Sequence, residues 1–382
     1  GGGVYNEIVH YKIGDFMRKI KRKREKIKKR VIIVSVFLFL IIMTSGYAAF
    51  STNITLHAKG NIKEKGRVIR SWKQYITEDF HTDYYRTKII SATFLDNNNV
   101  PDNAAESWDV SEDGKGGVKA WIVPNSEDNT KYDLYIGAKD GVIANEDSGY
   151  LFYNFRDLKE INFNNNYDTS NVTDMSSMFA WCTNIETIDI SSFNTSNVTN
   201  MNNMFSMYDN NNNTVINNKL TNIIFGDNFD TSNVTDIFQM FTGCENLTQI
   251  DVENWNTSNV RNMSSTFAYC KGLTTLDLSK WNTSKVIIMA WLFDECDKLI
   301  ELDISNFNTE NVTTFYQMFK GCHNLDELNL CSFNTQNISN SENMFYDTPK
   351  LKAVYVGSGW TLENTDDMFG YSNISNVTTG MC

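Results

Sequence analysis

The sequence predicts an α/β fold: a leucine-rich-repeat-like right-handed solenoid with a parallel strand ladder on one face, plus a β-rich N-terminal cap and an N-terminal membrane helix. Two observations carry most of this. From residue 151 onward one pattern recurs: an aromatic, then Asn-Thr-Ser-Asn-Val, then Met-Phe, then Cys, then Leu-x-x-Ile-x-Ile. The Phe closing each Met-Phe-like pair falls at Phe152, Phe179, Phe205, Phe241, Phe267, Phe293, Phe319, Phe345 and Phe369, and from Phe241 to Phe345 the spacing is 26 residues throughout. A period of roughly 20 to 29 residues with a Leu-x-x-Leu-x-Leu core marks a leucine-rich solenoid. No turn of such a solenoid buries its apolar face alone, so each depends on its neighbours.

The membrane helix rests on charge. The formal net charge is −12, but residues 1–30 hold eleven Lys/Arg against Glu7, Asp15 and Glu25, a net of +8 that leaves −20 on the rest. The basic cluster Lys19–Arg30 runs directly into an uncharged apolar run, residues 31–50, long enough for a helix to cross a bilayer. Positive charge on its N-terminal side keeps that end in the cytoplasm, so the chain beyond about residue 51 is exported. Gly46-Tyr47-Ala48 suits a signal peptidase, whereas the long preceding segment suits an uncleaved anchor; both readings stand. A basic flank is the usual companion of an export segment, which excludes nucleic acid as the expected partner. The chain opens on Gly1-Gly2-Gly3 without Met and stops just after Asn376-Val377-Thr378, as a chain missing one or both ends would.

Residues 51–70 read as a polar linker and 71–150 as a β-rich cap, which would shield the open edge of the first turn. The cap's strands are expected at Lys88–Phe94 and Gly117–Val123. Tyr132–Ile136 and Val142-Ile143 are expected as a hairpin turning at Lys139-Asp140-Gly141, with Trp108 and Trp121 buried. A separate ligand-binding module is the alternative.

Residues 151–382 are expected to make about nine solenoid turns, each in two halves. Leu276-Asp277-Leu278 alternates as a short strand does, and stacked turns would place such strands about 4.8 Å apart in a parallel sheet. In Val260–Phe267 the apolar residues fall at i, i+3 and i+7, which predicts one or two helical turns opposite the strand, with Thr173 or Thr199 as N-caps. The aromatic column Tyr167, Phe193, Phe229, Trp255, Trp281, Phe307, Phe333 and Trp360 is expected in the core, an exposed sugar-stacking row being the alternative. The recurring Asn-Thr-Ser-Asn suits bends whose backbone groups need side-chain partners, with Asn side chains bonding from turn to turn. Cys182, Cys244, Cys270, Cys296 and Cys322 share a column with Phe155 and Tyr208, as reduced core fillers do. Disulfides between turns are the alternative, although the total of seven is odd and Cys331 and Cys382 stand apart.

Across residues 151–370 this repeat resembles that of bacterial surface proteins of the BspA-like leucine-rich-repeat family, and the Trp108–Ser111 and Leu134–Gly137 segments also look familial. The resemblance implies a surface-displayed, adhesin-like binding protein.

Residues constant from turn to turn serve the architecture, and exposed strand residues that vary are free to serve a partner. The expected docking surface is therefore an acidic strand face centred on Asp251, Asp277, Asp303 and Glu301, with Asp189 in the same column, facing a basic partner or a cation. A solvated acidic face kept for solubility is the plain alternative. The Asp209–Asn218 insertion is the second candidate, because long loops on rigid scaffolds carry binding. No Gly-x-Ser-x-Gly, His-Glu-x-x-His or phosphate loop is present, and only four histidines are. The expected function is thus non-catalytic cell-surface adhesion or ligand binding, with an extracellular protein or glycan of host or matrix as partner, the membrane as anchor, and no cofactor or metal. A passive spacer or stalk is the alternative, and a surface hydrolase a more distant one.

Overall fold

The structure is a computed structural model that describes residues 65–72, 78–363, 366–380 and 382. The basic segment, the apolar run 31–50 and most of the predicted linker lie outside the described residues. The chain divides into Gly1–Ile62 and Lys63–Cys382, and the second unit is the subject here. Among the described residues, no helix is long and apolar enough to cross a membrane.

The expected linker boundary at residue 70 is too late. Val68 and Ile69 are buried, with Val68 bridging to Ile143 and Ile69 to Ser111. These two apolar side chains join the core, so the ordered unit starts before them. The cap is built on β1 (Ile89–Leu95), β2 (Glu106–Asp109), β3 (Val118–Pro124) and β4 (Tyr132–Ala138). With β6 (Glu160–Asn162), the first strand of the repeats, they form one sheet in the order β2-β3-β4-β1-β6. Both neighbours of β1 are parallel to it, β4 on one edge and β6 on the other. The cap therefore supplies the repeats with a strand edge to grow from, which removes an open edge. Trp121 is buried as expected, and Trp108 is half-buried against the same core.

The expected hairpin across Gly141 does not form. Asp140 and Gly141 do take the left-handed conformation of a turn, but β4 already has β3 on one side and β1 on the other. With no free edge left on β4, β5 (Val142–Ile143) pairs in parallel with β7 (Tyr167–Asp168). The hairpin that β4 does make is with β3, antiparallel, with Trp121 opposite Tyr135.

From residue 151 the chain is a stack of turns with mostly short parallel strands and few helices. The Phe column is a continuous stack of near-parallel rings: Phe205–Phe241 and Phe241–Phe267 have centroids 5.6 Å apart, and Phe319–Phe345 are 5.6 Å apart and tilted by only 1°. The second aromatic column is core as expected; Trp255 and Trp281 stack at 6.2 Å and 6°. One apolar cluster runs from Ile69 in the cap to Phe369 in the last turn.

The strand ladder is less continuous than expected. It breaks into short groups: β8 (Thr187–Ile190) with β11 (Asn222–Phe225), β12 (Thr275–Asp277) with β13 (Glu301–Asp303), and β14 (Glu327–Leu330) with β15 (Ala353–Val356) and β16 (Thr378–Thr379). Asp251 falls at a break and lies in no strand.

The unbroken ladder is on the other flank. Asp147, Asp174, Asn200, Asp236, Asn262, Ile288, Thr314 and Asn340 bridge in parallel from turn to turn. Here the predicted helix is absent except in the last turn, where Asp366–Phe369 is helical. Met175, Ser177, Phe179 and Trp181 donate their amides to the next turn, at Asn200, Asn202, Met204 and Ser206. The intervening Met178, Ala180 and Cys182 donate three residues back within their own turn. A helix would spend all these amides inside one turn, and one so short is marginal by itself. Alternating the bonds ties the stack together, and it requires left-handed backbone at Ser177 and Trp181.

The polar columns serve the same stacking. The expected N-caps are not caps: the Thr199 hydroxyl bonds the carbonyl of Thr173, and that of Thr173 the carbonyl of Glu146. Asn197, Asn233, Asn259, Asn311 and Asn337 each donate to a backbone carbonyl of the preceding turn. Thr169, Thr195, Thr231, Thr257, Thr283 and Thr309 each donate to one in the following turn. The turn-to-turn amide bonding read from the Asn repeat is thus present, directed at backbone carbonyls.

Candidate functional site

The long interval between Phe205 and Phe241 is a small antiparallel hairpin, β9 (Tyr208–Asp209) paired with β10 (Thr214–Val215). It leans over the flank that carries the continuous ladder. Asn210 and Gln239 exchange two amide hydrogen bonds at 3.1 and 3.2 Å, and the Tyr208 hydroxyl donates to Asn213 at 2.7 Å. Buried Asn218 anchors the return strand by donating to the Gly243 carbonyl at 2.9 Å.

Between the hairpin and the next turns lies a cleft of about 430 Å³, within the usual size range of small-ligand sites. Its walls combine aromatic faces with uncharged polar groups: Tyr208, Tyr269, Trp291, Asn210, Gln239 and Gln317. Tyr208 and Tyr269 stack at 5.3 Å. The Trp291 indole is 38% exposed, its N–H held by Gln317 at 2.9 Å and its edge met by Tyr316.

At the cleft wall sits Asp294, whose side chain is 3% exposed. Burial pushes its carboxyl up to about 7, against the pull of the Lys320 ammonium and with the help of Glu295. Lys320 stands 3.5 Å from Asp294 and 3.2 Å from Glu295. The Lys320 contact is to Asp294 Oδ1, which beyond this ion pair lacks a close hydrogen bond. Burial and the Asp294 charge together also push the Tyr269 phenol up.

Sequence reasoning singled out the insertion but none of Tyr269, Trp291, Asp294, Gln317 or Lys320. The available signal was backbone conformation. Residues two before or two after most Phe of the column are left-handed; Ser177, Asn203, Ser265, Asn343, Gly243 and Gly321 fill such places, and Tyr150, Trp181 and Tyr371 are aromatics that do so elsewhere. Trp291 and Tyr269 occupy the same places, where a bulky side chain costs of order 1 kcal/mol or more.

The acidic strand face is exposed at Asp189, Asp251, Asp277, Glu301 and Asp303. Asp277 and Asp303 lie side by side in register, as do Thr275 and Glu301. Three of the aspartates also hold turns: the Ser191, Ser279 and Ser305 amides donate to Asp189, Asp277 and Asp303 at 2.9 to 3.0 Å. Asn162 and Asn329 make the same bond in their turns. The bonds from Ser279 outweigh the other influences and lower the Asp277 pKa. This column therefore has an architectural role whatever it binds. Asp251 belongs to no strand pair, so the five residues do not make one continuous row. Among the described residues, no three His, Cys, Asp or Glu converge as a metal ion would need.

The cysteine column is free and buried, as the sequence suggested. Each of Cys182, Cys244, Cys270, Cys296 and Cys322 donates to the carbonyl of a stacked Phe in the preceding turn at 3.0 to 3.2 Å. Burial pushes the Cys182 thiol up to about 12 and the others well up. The remaining two, Cys331 and Cys382, form a disulfide.

Fixed columns that only build, and a flank where one insertion and a few aromatics depart from them, define a repeat protein with a built cleft on that flank. Residues 147–271, 207–302 and 272–379 match the family described as "Mycoplasma protein of unknown function, DUF285". The chain belongs to this family. No curated protein matches it. Among solved structures it is similar to a leucine-rich repeat protein from Bacteroides ovatus, at 16% identity and a TM-score of 0.28, with 62% of each chain covered. The chain thus spans about three fifths of that protein's length.

Proposed function

We propose that this chain is a non-catalytic, surface-displayed binding protein that takes an extracellular ligand of host or matrix in the cleft beneath the Tyr208–Val215 hairpin. In this reading the repeats are a right-handed solenoid of the leucine-rich, BspA-like kind, held outside a bacterial cell by residues 31–50. The observation that carries it is the cleft itself. Tyr208 on the hairpin and Tyr269 and Trp291 on the turns wall about 430 Å³ together with amide side chains and a buried carboxyl. Displaying the protein on cells and screening matrix proteins, glycans and host cells tests it. Saturable binding that disappears when residues 210–214 are replaced by a short Gly-Ser turn is expected; absence of any binding would favour a passive spacer.

The acidic strand face remains a second surface for a basic partner. Changing Asp251, Asp277 and Asp303 together to Asn removes the charge and keeps the turn bonds, so binding that is unaffected would eliminate it. A hydrolase reading has one observation in its favour, an Asp294 carboxyl that titrates near neutrality. Its neighbour Glu295 is engaged by Lys320, and release of sugar or peptide products on incubation with bound ligand is the check.

A further inference from the structure

We propose that the cleft is a neutral-carbohydrate site, with a sugar ring lying on the open face of the Trp291 indole and its hydroxyls bonded by Asp294, Gln317 and Asn210. This rests on the binding role proposed above and specifies the ligand class.

Three features of the cleft point to this chemistry. The first is the aromatic surface. The indole N–H of Trp291 is taken by Gln317 and Tyr316 packs perpendicular to the ring at 5.1 Å, which fixes it while leaving it 38% exposed. A fixed, partly exposed apolar plane suits the C–H face of a sugar, because burying it needs no further ordering of the side chain.

The second is the polar complement. The walls carry amides and hydroxyls, groups that both donate and accept, as a polyol requires. Asp294 adds a buried carboxyl whose Oδ1 is held by the Lys320 ammonium at 3.5 Å, longer than a hydrogen bond. A ligand hydroxyl directed at it would complete its hydrogen bonding. The carboxyl's raised pKa lets it donate as well as accept near neutral pH.

The third is charge. Lys320 is the one cationic side chain lining the cleft, and it already faces both Asp294 and Glu295. No positive charge is left over to hold a sulfate, phosphate or carboxylate, so anionic glycans are disfavoured.

The test uses the full chain with isothermal titration and tryptophan fluorescence. Its probes are neutral oligosaccharides, sulfated and sialylated oligosaccharides, and matrix proteins stripped of their glycans. The variants are Trp291→Gln, chosen because Gln317 in the next turn and Gln239 two turns earlier hold the same left-handed position, and Asp294→Asn. Glu310→Gln, exposed and outside the cleft, is the control, and circular dichroism checks that each folds.

Expected is saturable binding of at least one neutral oligosaccharide with a change in tryptophan emission. Trp291→Gln should weaken it by about tenfold or more, the equivalent of one aromatic contact, and Glu310→Gln should leave it unchanged. Binding confined to glycan-free proteins, or to anionic glycans, and lost in Trp291→Gln would overturn the ligand class while sparing the cleft. Binding unchanged in both cleft variants would overturn the cleft as the site. No binding of any probe would overturn both.

Discussion

Replacing Phe267 with alanine tests whether the ring stack is the structural spine. Phe267 is 0% exposed and lies between Phe241 at 5.6 Å and Phe293 at 6.0 Å, with Trp281 a further 6.0 Å away. Deleting a buried Phe side chain costs roughly 3–5 kcal/mol through lost transfer energy and the cavity left behind. Two stacking contacts of about 0.5–1.5 kcal/mol each partly overlap that figure, so the total should lie near its upper end, about 5 kcal/mol. Phe369 is the internal comparison: it stacks on Phe345 alone and is 6% exposed. Its alanine variant should cost about 3 kcal/mol, with one stacking neighbour lost instead of two.

The two variants should also differ in kind. Turns couple chiefly to their neighbours, so a weak central turn divides the stack, whereas a weak terminal turn only frays it. Urea unfolding followed by circular dichroism should give a broadened or split transition for Phe267→Ala and a single, slightly shifted one for Phe369→Ala. Equal costs at the two sites, or a cost below about 1 kcal/mol at Phe267, would refute a cooperative stack propagated through this column.

Thr283→Val keeps the side chain's shape but removes a buried hydroxyl that donates to the Asn308 carbonyl and accepts from its amide, at 2.9 and 2.7 Å. Two stranded backbone groups should cost roughly 2–3 kcal/mol in a chemical-denaturation measurement. His323 bridges Asp297 and Asp347 of adjacent turns; desolvation opposes its charge, but the two carboxylates prevail and its pKa is raised. The bridge's contribution is therefore complete below pH 6.5, the ordinary His value, and is lost as pH rises through the higher folded value. His323→Gln should lower the melting temperature more at pH 5.5 than at pH 9. The five column thiols should stay unreactive toward a disulfide exchange reagent at pH 8 in the native protein and react on unfolding, since burial suppresses their thiolates. Rapid native labelling would show that the column opens.

Periodicity alone determined that residues 151–382 stack turn on turn, and which columns fill the interior: Phe267 and its counterparts, Trp281, Val260, Cys270. A repeat places equivalent residues in equivalent surroundings, so a one-dimensional pattern is enough to tell core from surface. The same pattern implied an i, i+3, i+7 helix at Val260–Phe267, and there it failed. Apolar spacing reports which side chains point inward, not where each amide goes, and these amides alternate between their own turn and the next. The hairpin across Gly141 failed similarly, because whether β4 had a free edge depended on a distant strand, β1. The insertion at Asp209–Asn218 was visible as a break in the period, but the cleft was not. Trp291, Asp294 and Lys320 come together with Tyr208 only because four turns and a hairpin stack in register, and the burial that raises the Asp294 pKa belongs to that assembly.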